Sequence, residues 1–230
     1  MQEIYKTLLN KAFPVAVEAL RDLQHSIQAP TEFFRRFRGT TPLDLKASLV
    51  GLLMAVLLSV LSFSALHGAN VSLSYDFIIF VTVLNWILLF GCGACFWVGS
   101  KALAGEVGFF STINSFFYLS VFLVFMKVAE LPALGVRISA LVSSCDIGDF
   151  GALVTKSISK GAAFQASNSL VFLCYIVFAL WSVKMVRASN GFGLFRGILA
   201  TMVAMAALSA LVAYIQEPAI FALVCGYVTH

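Results

Sequence analysis

Residues 45–66, 77–99, 109–131, 164–186 and 195–215 form five apolar segments, each long enough to cross a bilayer as a helix. A hydrocarbon core of about 30 Å takes about 20 helical residues. A chain with five such stretches cannot enclose them all in one water-exposed globule, so lipid must solvate part of its surface. Composition agrees: 60% of the residues are hydrophobic and 11% are charged, against about 25% charged in soluble domains. The sequence therefore predicts an all-α polytopic membrane protein with five transmembrane helices over 43–215. An N-terminal amphipathic segment at the inner surface (1–42) precedes them, and a short apolar tail (216–230) follows. The one long connection, 132–163, is expected on the outer side with one or two short amphipathic helices.

The placement of basic residues predicts the orientation. Seven precede or open the first span (Lys6, Lys11, Arg21, Arg35, Arg36, Arg38, Lys46), and the following link, 67–76, has none. Lys101 follows the second span, and Lys184, Arg187 and Arg196 surround the turn between the fourth and fifth. Arg137, Lys156 and Lys160 fall in 132–163, and Lys127 lies within the third span. An N-terminus inside puts 11 of these inside and 3 outside. The positive-inside bias thus predicts N-terminus in and C-terminus out. No continuous apolar stretch of signal-peptide type precedes residue 43, so the first span reads as a retained span that directs insertion. Neither end carries a lipidation motif.

Ile4, Leu8, Ala12, Val15, Ala19, Leu23 and Ile27 recur at three- and four-residue steps, the pattern of an amphipathic helix. Pro14 is expected to begin a second helix rather than sit inside a long one. Pro30 then opens the stretch Ala29-Pro-Thr-Glu-Phe-Phe-Arg-Arg-Phe-Arg-Gly39. On a helix Phe33, Phe34 and Phe37 share a face, ringed by Arg35, Arg36 and Arg38. The expected role is membrane-surface contact, with the phenylalanines in lipid and the arginines at the anionic headgroups of the inner leaflet. The alternative is a helix that packs its Phe face on the bundle. Thr41-Pro42-Leu43-Asp44 reads as a helix start, with Thr41 capping.

Two small-residue stripes predict close helix packing: Gly91, Cys95 and Gly99 in the second span, and Ala206, Ala210 and Ala213 in the fifth. Cys92 and Cys95 have the CxxC spacing, but no flanking charge would lower a thiol pKa, so they read as packing residues. Cys145 and Cys225 fall outside the spans on the outer side. A bridge between them is open, with nothing in the sequence that demands one. The third span is the most polar, with Asn114, Ser115 and Tyr118 in its inner half and Lys127 and Glu130 near its outer end. With Asn85 of the second span they are candidates to line a small-solute or ion pathway. The alternative for Lys127 is to extend its stem to water and pair with Glu130.

The sequence carries no catalytic signature. His25, His67 and His230 lie far apart, and no HExxH, zinc-type CxxC pair or nucleophile elbow is present. The Gly-rich turn 99–108 lacks the Gly-Lys-Ser/Thr ending of a phosphate loop. No catalytic residue, cofactor, metal or nucleic-acid partner is expected. The expected partners are membrane lipids of an anionic inner leaflet and other membrane protein subunits. The expected role is a non-catalytic scaffold, adaptor or accessory subunit of a membrane assembly, with the solute pathway as the alternative.

Taken together, the five spans, the inner N-terminus and Pro30-x-x-Phe33-Phe34-x-x-Phe37 before the first span resemble the Yip family. That family comprises Rab-GTPase-interacting multi-pass membrane proteins and their bacterial relatives. Ala104-Gly-Glu-Val-Gly-Phe-Phe110 with Tyr118-Leu-Ser120, Leu180-Trp-Ser182, and Asn190-Gly-Phe-Gly-Leu-Phe-Arg-Gly-Ile198 are similar as well. The likeness covers 30–215. The chain departs from the family in three places. The proline that bacterial relatives often carry after the Tyr-x-Ser stretch is missing, the Asp-Leu-Tyr-Gly-Pro motif of the eukaryotic branch is missing, and the 132–163 link is long. The resemblance implies the five-span topology, a non-enzymatic scaffold or adaptor, and a bacterial inner membrane.

Overall fold

The computed structural model describes residues 2–68, 75–145 and 162–216, with 218–219, 222 and 225–226 of the tail. Its main elements are all helices. They run α1 (Gln2–Gln28), α2 (Pro30–Arg35), α3 (Leu45–Gly68), α4 (Tyr75–Ala102), α5 (Phe109–Leu119), α6 (Val121–Cys145), α7 (Ala162–Asn190) and α8 (Leu194–Leu211). A wider π-type turn, Val212–Gln216, ends α8. Five stretches are long and apolar enough to cross a membrane: Leu45–Ala65, Phe77–Ala102, Phe109–Leu134, Phe164–Asn190 and Leu194–Gln216. The protein is an all-α polytopic membrane protein with an amphipathic N-terminal segment.

Two boundaries differ from the sequence expectation. α1 runs unbroken through Pro14, so no second helix starts there. Proline lacks one backbone donor, and a 27-residue helix held by its C-terminal half absorbs that loss. The third span also extends further than expected. α6 continues through Pro132 to Cys145, so 132–145 is helix rather than link. Pro132 leaves the carbonyl of Val128 without its usual donor. In the same turn, the Ser167 hydroxyl of α7 donates to the Ala129 carbonyl at 2.6 Å, the kind of support that lets a membrane helix tolerate proline. Residues 146–161 of the expected outer link lie outside the described residues, and 162–163 already belong to α7.

The third span is itself in two pieces. α5 and α6 meet at Ser120, whose N–H bonds the Phe116 carbonyl and whose hydroxyl donates to Phe117 O at 2.6 Å. A side chain inserted into the ladder in this way is a recognised cause of helix breaks. α5 forms the centre of the bundle, with every residue from Ser111 to Ser120 buried. Gly51 of α3 admits the Phe117 ring, since a Cβ at that position would lie 2.5–2.8 Å from the ring carbons.

α8 lies against α4 at Gly99, where a Cβ would meet the Ala200 carbonyl and come within 2.9 Å of Ala204 Cβ. Gly91 is near Leu211, and Cys95 is buried. The expected stripe on the partner helix is displaced. Ala206, Ala210 and Ala213 are exposed, and the buried face of α8 is Gly197, Ala200, Thr201 and Ala204. The reason is helical phase. The two alanine sets lie on opposite sides of the helix, and only the second faces Gly99. On α1, Ala19 is buried and Leu23 and Ile27 pack on the core, while Phe13, Val17 and Leu20 stay exposed.

Candidate functional site at the basic end of the bundle

The chain concentrates its polar side chains where the N-terminal segment, the α4–α5 turn and the α7–α8 turn meet. α2 starts at Pro30, a residue suited to a first helical turn, and buries Pro30, Phe33 and Phe34. The Phe33 ring stands edge-on to Tyr118 of α5 at 4.8 Å and to His25 of α1 at 5.7 Å. The Arg36 guanidinium lies 3.7 Å over Phe33, 4.9 Å from Phe37 and 5.5 Å from Tyr118, and pairs with Asp22 at 3.0 Å. Phe33 and Phe34 are 1% exposed and Phe37 5%.

This corrects the expected membrane-surface contact of Phe33, Phe34 and Phe37, because the three rings lie inside the protein. Lipid and a protein core both remove an aromatic ring from water. The core adds close-packed partners and places a cation over the ring face. Arg36, itself partly exposed, is held between α1, α2 and α5 by Asp22 and the faces of Phe33 and Tyr118. Arg35 and Arg38 are exposed.

The following residues are bonded onto α5. Gly39, at φ +87°, offers its carbonyl to Gly108 N–H and to the Ser111 hydroxyl, both at 2.9 Å. Thr41 N–H donates to Ser111 Oγ at 2.7 Å. Asn114, fully buried, donates to the Pro42 carbonyl at 2.7 Å and accepts from Asp44 N–H at 3.0 Å. The cap of α3 is thus Asp44, whose carboxylate takes the Lys46 N–H at 3.2 Å. Thr41, the expected cap, turns its hydroxyl to Ser111 instead. The α4–α5 turn is held from the other side. Asn190 accepts from Val107 N–H and donates to Ser100 Oγ, and Arg196 donates to the Leu103 and Ala104 carbonyls.

At the rim of this layer, α2, the end of α7 and the Gly191 turn enclose a cavity of about 420 Å³ lined by Thr31, Arg35, Arg38, Lys184, Arg187 and Gly191. No carboxylate lines it, and among the described residues none of its four cations forms an ion pair. Lys184 rests on the Trp181 ring at 4.1 Å. The Arg187 stem crosses Gly197 so closely that a Cβ there would collide with its Cγ. Its Nε is buried without a hydrogen-bond partner among the described residues. Arg38 crosses Gly191, at φ +69°, where a Cβ would lie 2.7 Å from its Nη2. A separate apolar groove of about 690 Å³ runs between α6 and α7 past Phe122, Phe125, Pro132 and Leu170.

The residues expected to line a polar pathway do not come together. Asn85 donates to Ser59 at 2.8 Å and ties α4 to α3. Asn114 binds the backbone ahead of α3, Ser115 bonds the Ser111 carbonyl, and Tyr118 packs under Phe33 with its hydroxyl buried. Lys127 and Glu130 pair at 3.2 Å on α6. None of the six lines either cavity. Five of the six already hold another side chain or the backbone, and Tyr118 is sealed under Phe33, so they offer little to a passing solute. Asn114→Leu is accordingly expected to loosen the start of α3 rather than to block a flux. One unsatisfied buried group costs about 1–3 kcal/mol, readable as a lower melting midpoint in detergent. An unchanged midpoint would refute the clamp.

Sequence reasoning did not single out Ser100, Ser111, Asn190 or Arg196 as tertiary partners, and it used Lys184 for the orientation. The available signal was the pair of basic residues three apart in α7, Lys184 and Arg187. Among the described residues no three His, Cys, Asp or Glu side chains gather as a metal set. Compared with family models, curated proteins and solved structures, the chain matches none.

Proposed function

We propose that this multi-pass membrane protein is a non-catalytic scaffold, adaptor or accessory subunit of a membrane assembly, of Yip-like type. In this reading it sits in a bacterial inner membrane with its N-terminus inside and its C-terminus outside. The observation that carries the reading is where the buried and half-buried polar side chains go. Ser111, Asn114 and Asn190 hold the N-terminal segment and two turns on the bundle, making a rigid face outside the spans. Three stretches that carry the Yip likeness meet there: Phe33 on Tyr118, and Asn190 on Val107.

Purification in a gentle detergent followed by mass spectrometry tests the role. A membrane protein recovered in fixed proportion supports it, and a monodisperse monomer with no companion overturns it.

The orientation has its own support. Cys145 at the end of α6 is bonded to Cys225 of the tail, with the Cα atoms 5.3 Å apart, a pairing that the sequence left open. Disulfides persist in oxidising compartments, which favours this end outside and the arginine-rich end inside. On intact cells, both thiols are expected to resist a membrane-impermeant maleimide until a reductant is added, and then to label. Labelling without reductant, or only in inverted vesicles, would count against the assignment.

A further inference from the structure

We propose that the cavity between α2 and the end of α7 binds a phosphate group. The ligand class is an anionic phosphomonoester or phosphodiester, held by Arg35, Arg38, Lys184 and Arg187. The proposal goes beyond the scaffold reading and does not depend on it.

Four cations converge on one cavity of about 420 Å³ with no carboxylate in its wall. Like charges drawn together in this way repel unless an anion sits among them. Three of the four come from arginines, whose planar fork matches phosphate oxygens two at a time. Thr31 adds a hydroxyl to the wall.

Three of the four cations are also held in place before any ligand arrives. Arg187 is threaded over Gly197 and Arg38 over Gly191, contacts that a side chain at either glycine would obstruct. Lys184 is seated on the Trp181 ring. The Arg187 Nε, buried and without a partner among the described residues, is a donor with nothing to donate to. Arg36 is not part of the site, because Asp22 and the Phe33 ring occupy it. The charge is therefore divided by function: one arginine clamps the fold, while its two neighbours face the cavity.

The phosphate can come from either of two sources. Trp181 and Lys184 have the character of residues at a membrane boundary, where the headgroup of an anionic lipid would be in reach. A phosphate-bearing solute could reach the same cations from the aqueous side. The experiment separates them.

The full chain, purified in a neutral detergent, is examined by native mass spectrometry with dioleoyl phosphatidic acid, dioleoyl phosphatidylglycerol or dioleoyl phosphatidylcholine. In parallel, its melting midpoint is followed with inorganic phosphate. Retention of one anionic lipid, with phosphatidylcholine not retained and no response to inorganic phosphate, assigns a lipid headgroup. A midpoint raised by inorganic phosphate, together with displacement of bound lipid by excess phosphate, assigns a soluble ligand.

In either case Arg38→Gln combined with Arg187→Gln is expected to weaken binding by about tenfold or more, since each removes charge-assisted hydrogen bonds. Lys184→Gln should weaken it less. It provides the same reading should the double variant not elute as a single species, because its ammonium is seated only against an aromatic ring. Arg21→Gln, an exposed arginine of α1 away from the cavity, should change nothing. Equal binding by wild type, the double variant and Lys184→Gln would overturn the proposal. So would an equal loss in Arg21→Gln, or no binding of any of the probes.

Discussion

Phe33→Ala is expected to release the N-terminal segment from the bundle while the five spans stay inserted. Phe33 is 1% exposed and touches His25, Phe34, Phe37, Tyr118 and the Arg36 guanidinium. Truncating a buried phenylalanine to alanine costs about 3–5 kcal/mol. The cation over its face adds about 0.5–1 kcal/mol, because the Arg36 side chain stays partly exposed. α2 has six residues and no side-chain bond at its N-cap, so packing rather than intrinsic helicity holds it. The loss therefore falls on docking. Trypsin is the probe, since Arg35, Arg36 and Arg38 cluster there. The wild-type chain in detergent should be cut slowly at these sites and the variant rapidly, with Phe33→Leu in between. Equal rates for wild type and Phe33→Ala would mean that the docked arrangement does not hold the segment.

The second large effect is expected at Gly99→Val. A Cβ at Gly99 would meet the Ala200 carbonyl, the Ala204 nitrogen at 2.8 Å and the Ala204 Cβ at 2.9 Å. Two of those atoms are backbone and the third is fixed to it, so no rotamer change relieves the contact and the helices must part. Overpacking usually costs about 1–3 kcal/mol and occasionally more. This site belongs at the upper end, because separating two backbones forfeits dispersion contacts along the whole α4–α8 seam. Gly193→Ala is the matched control. Its Cβ would meet nothing within 4 Å, and its φ of −63° suits any residue. Melting in detergent should show a strongly lowered midpoint and aggregation for Gly99→Val and a curve close to wild type for Gly193→Ala. A wild-type curve for both would refute the close approach of α4 and α8.

What could be read from the chain alone was the partition between water and non-water. Transfer free energy belongs to each residue type, so runs such as 45–66 and 195–215 declare spans wherever they pack. The same property announced that Phe33, Phe34 and Phe37 leave water and that Asn114, inside a span, needs partners. It could not say what receives them. In a soluble helix the apolar stripe marks the core, but beside a lipid the outer face is equally apolar. Hydrophobic pattern therefore could not distinguish Ala206, Ala210 and Ala213, which are exposed, from Ala200 and Ala204, which meet Gly99 of α4.

Complementary shape decides that face, and shape belongs to a pair of helices rather than to either alone. The same holds for the rings, which found Tyr118 and the Arg36–Asp22 pair rather than lipid. It holds for Asn114, which bonds backbone lying far from it in sequence. The basic cavity follows the same logic. Arg35 and Arg38 begin the chain's path, Lys184 and Arg187 come near its end, and only the docking of α2 on α7 brings them to one wall. Water avoidance is additive along a sequence and was legible there. Hydrogen bonds, close packing and charge convergence arise between distant segments, so the tertiary structure alone decided them.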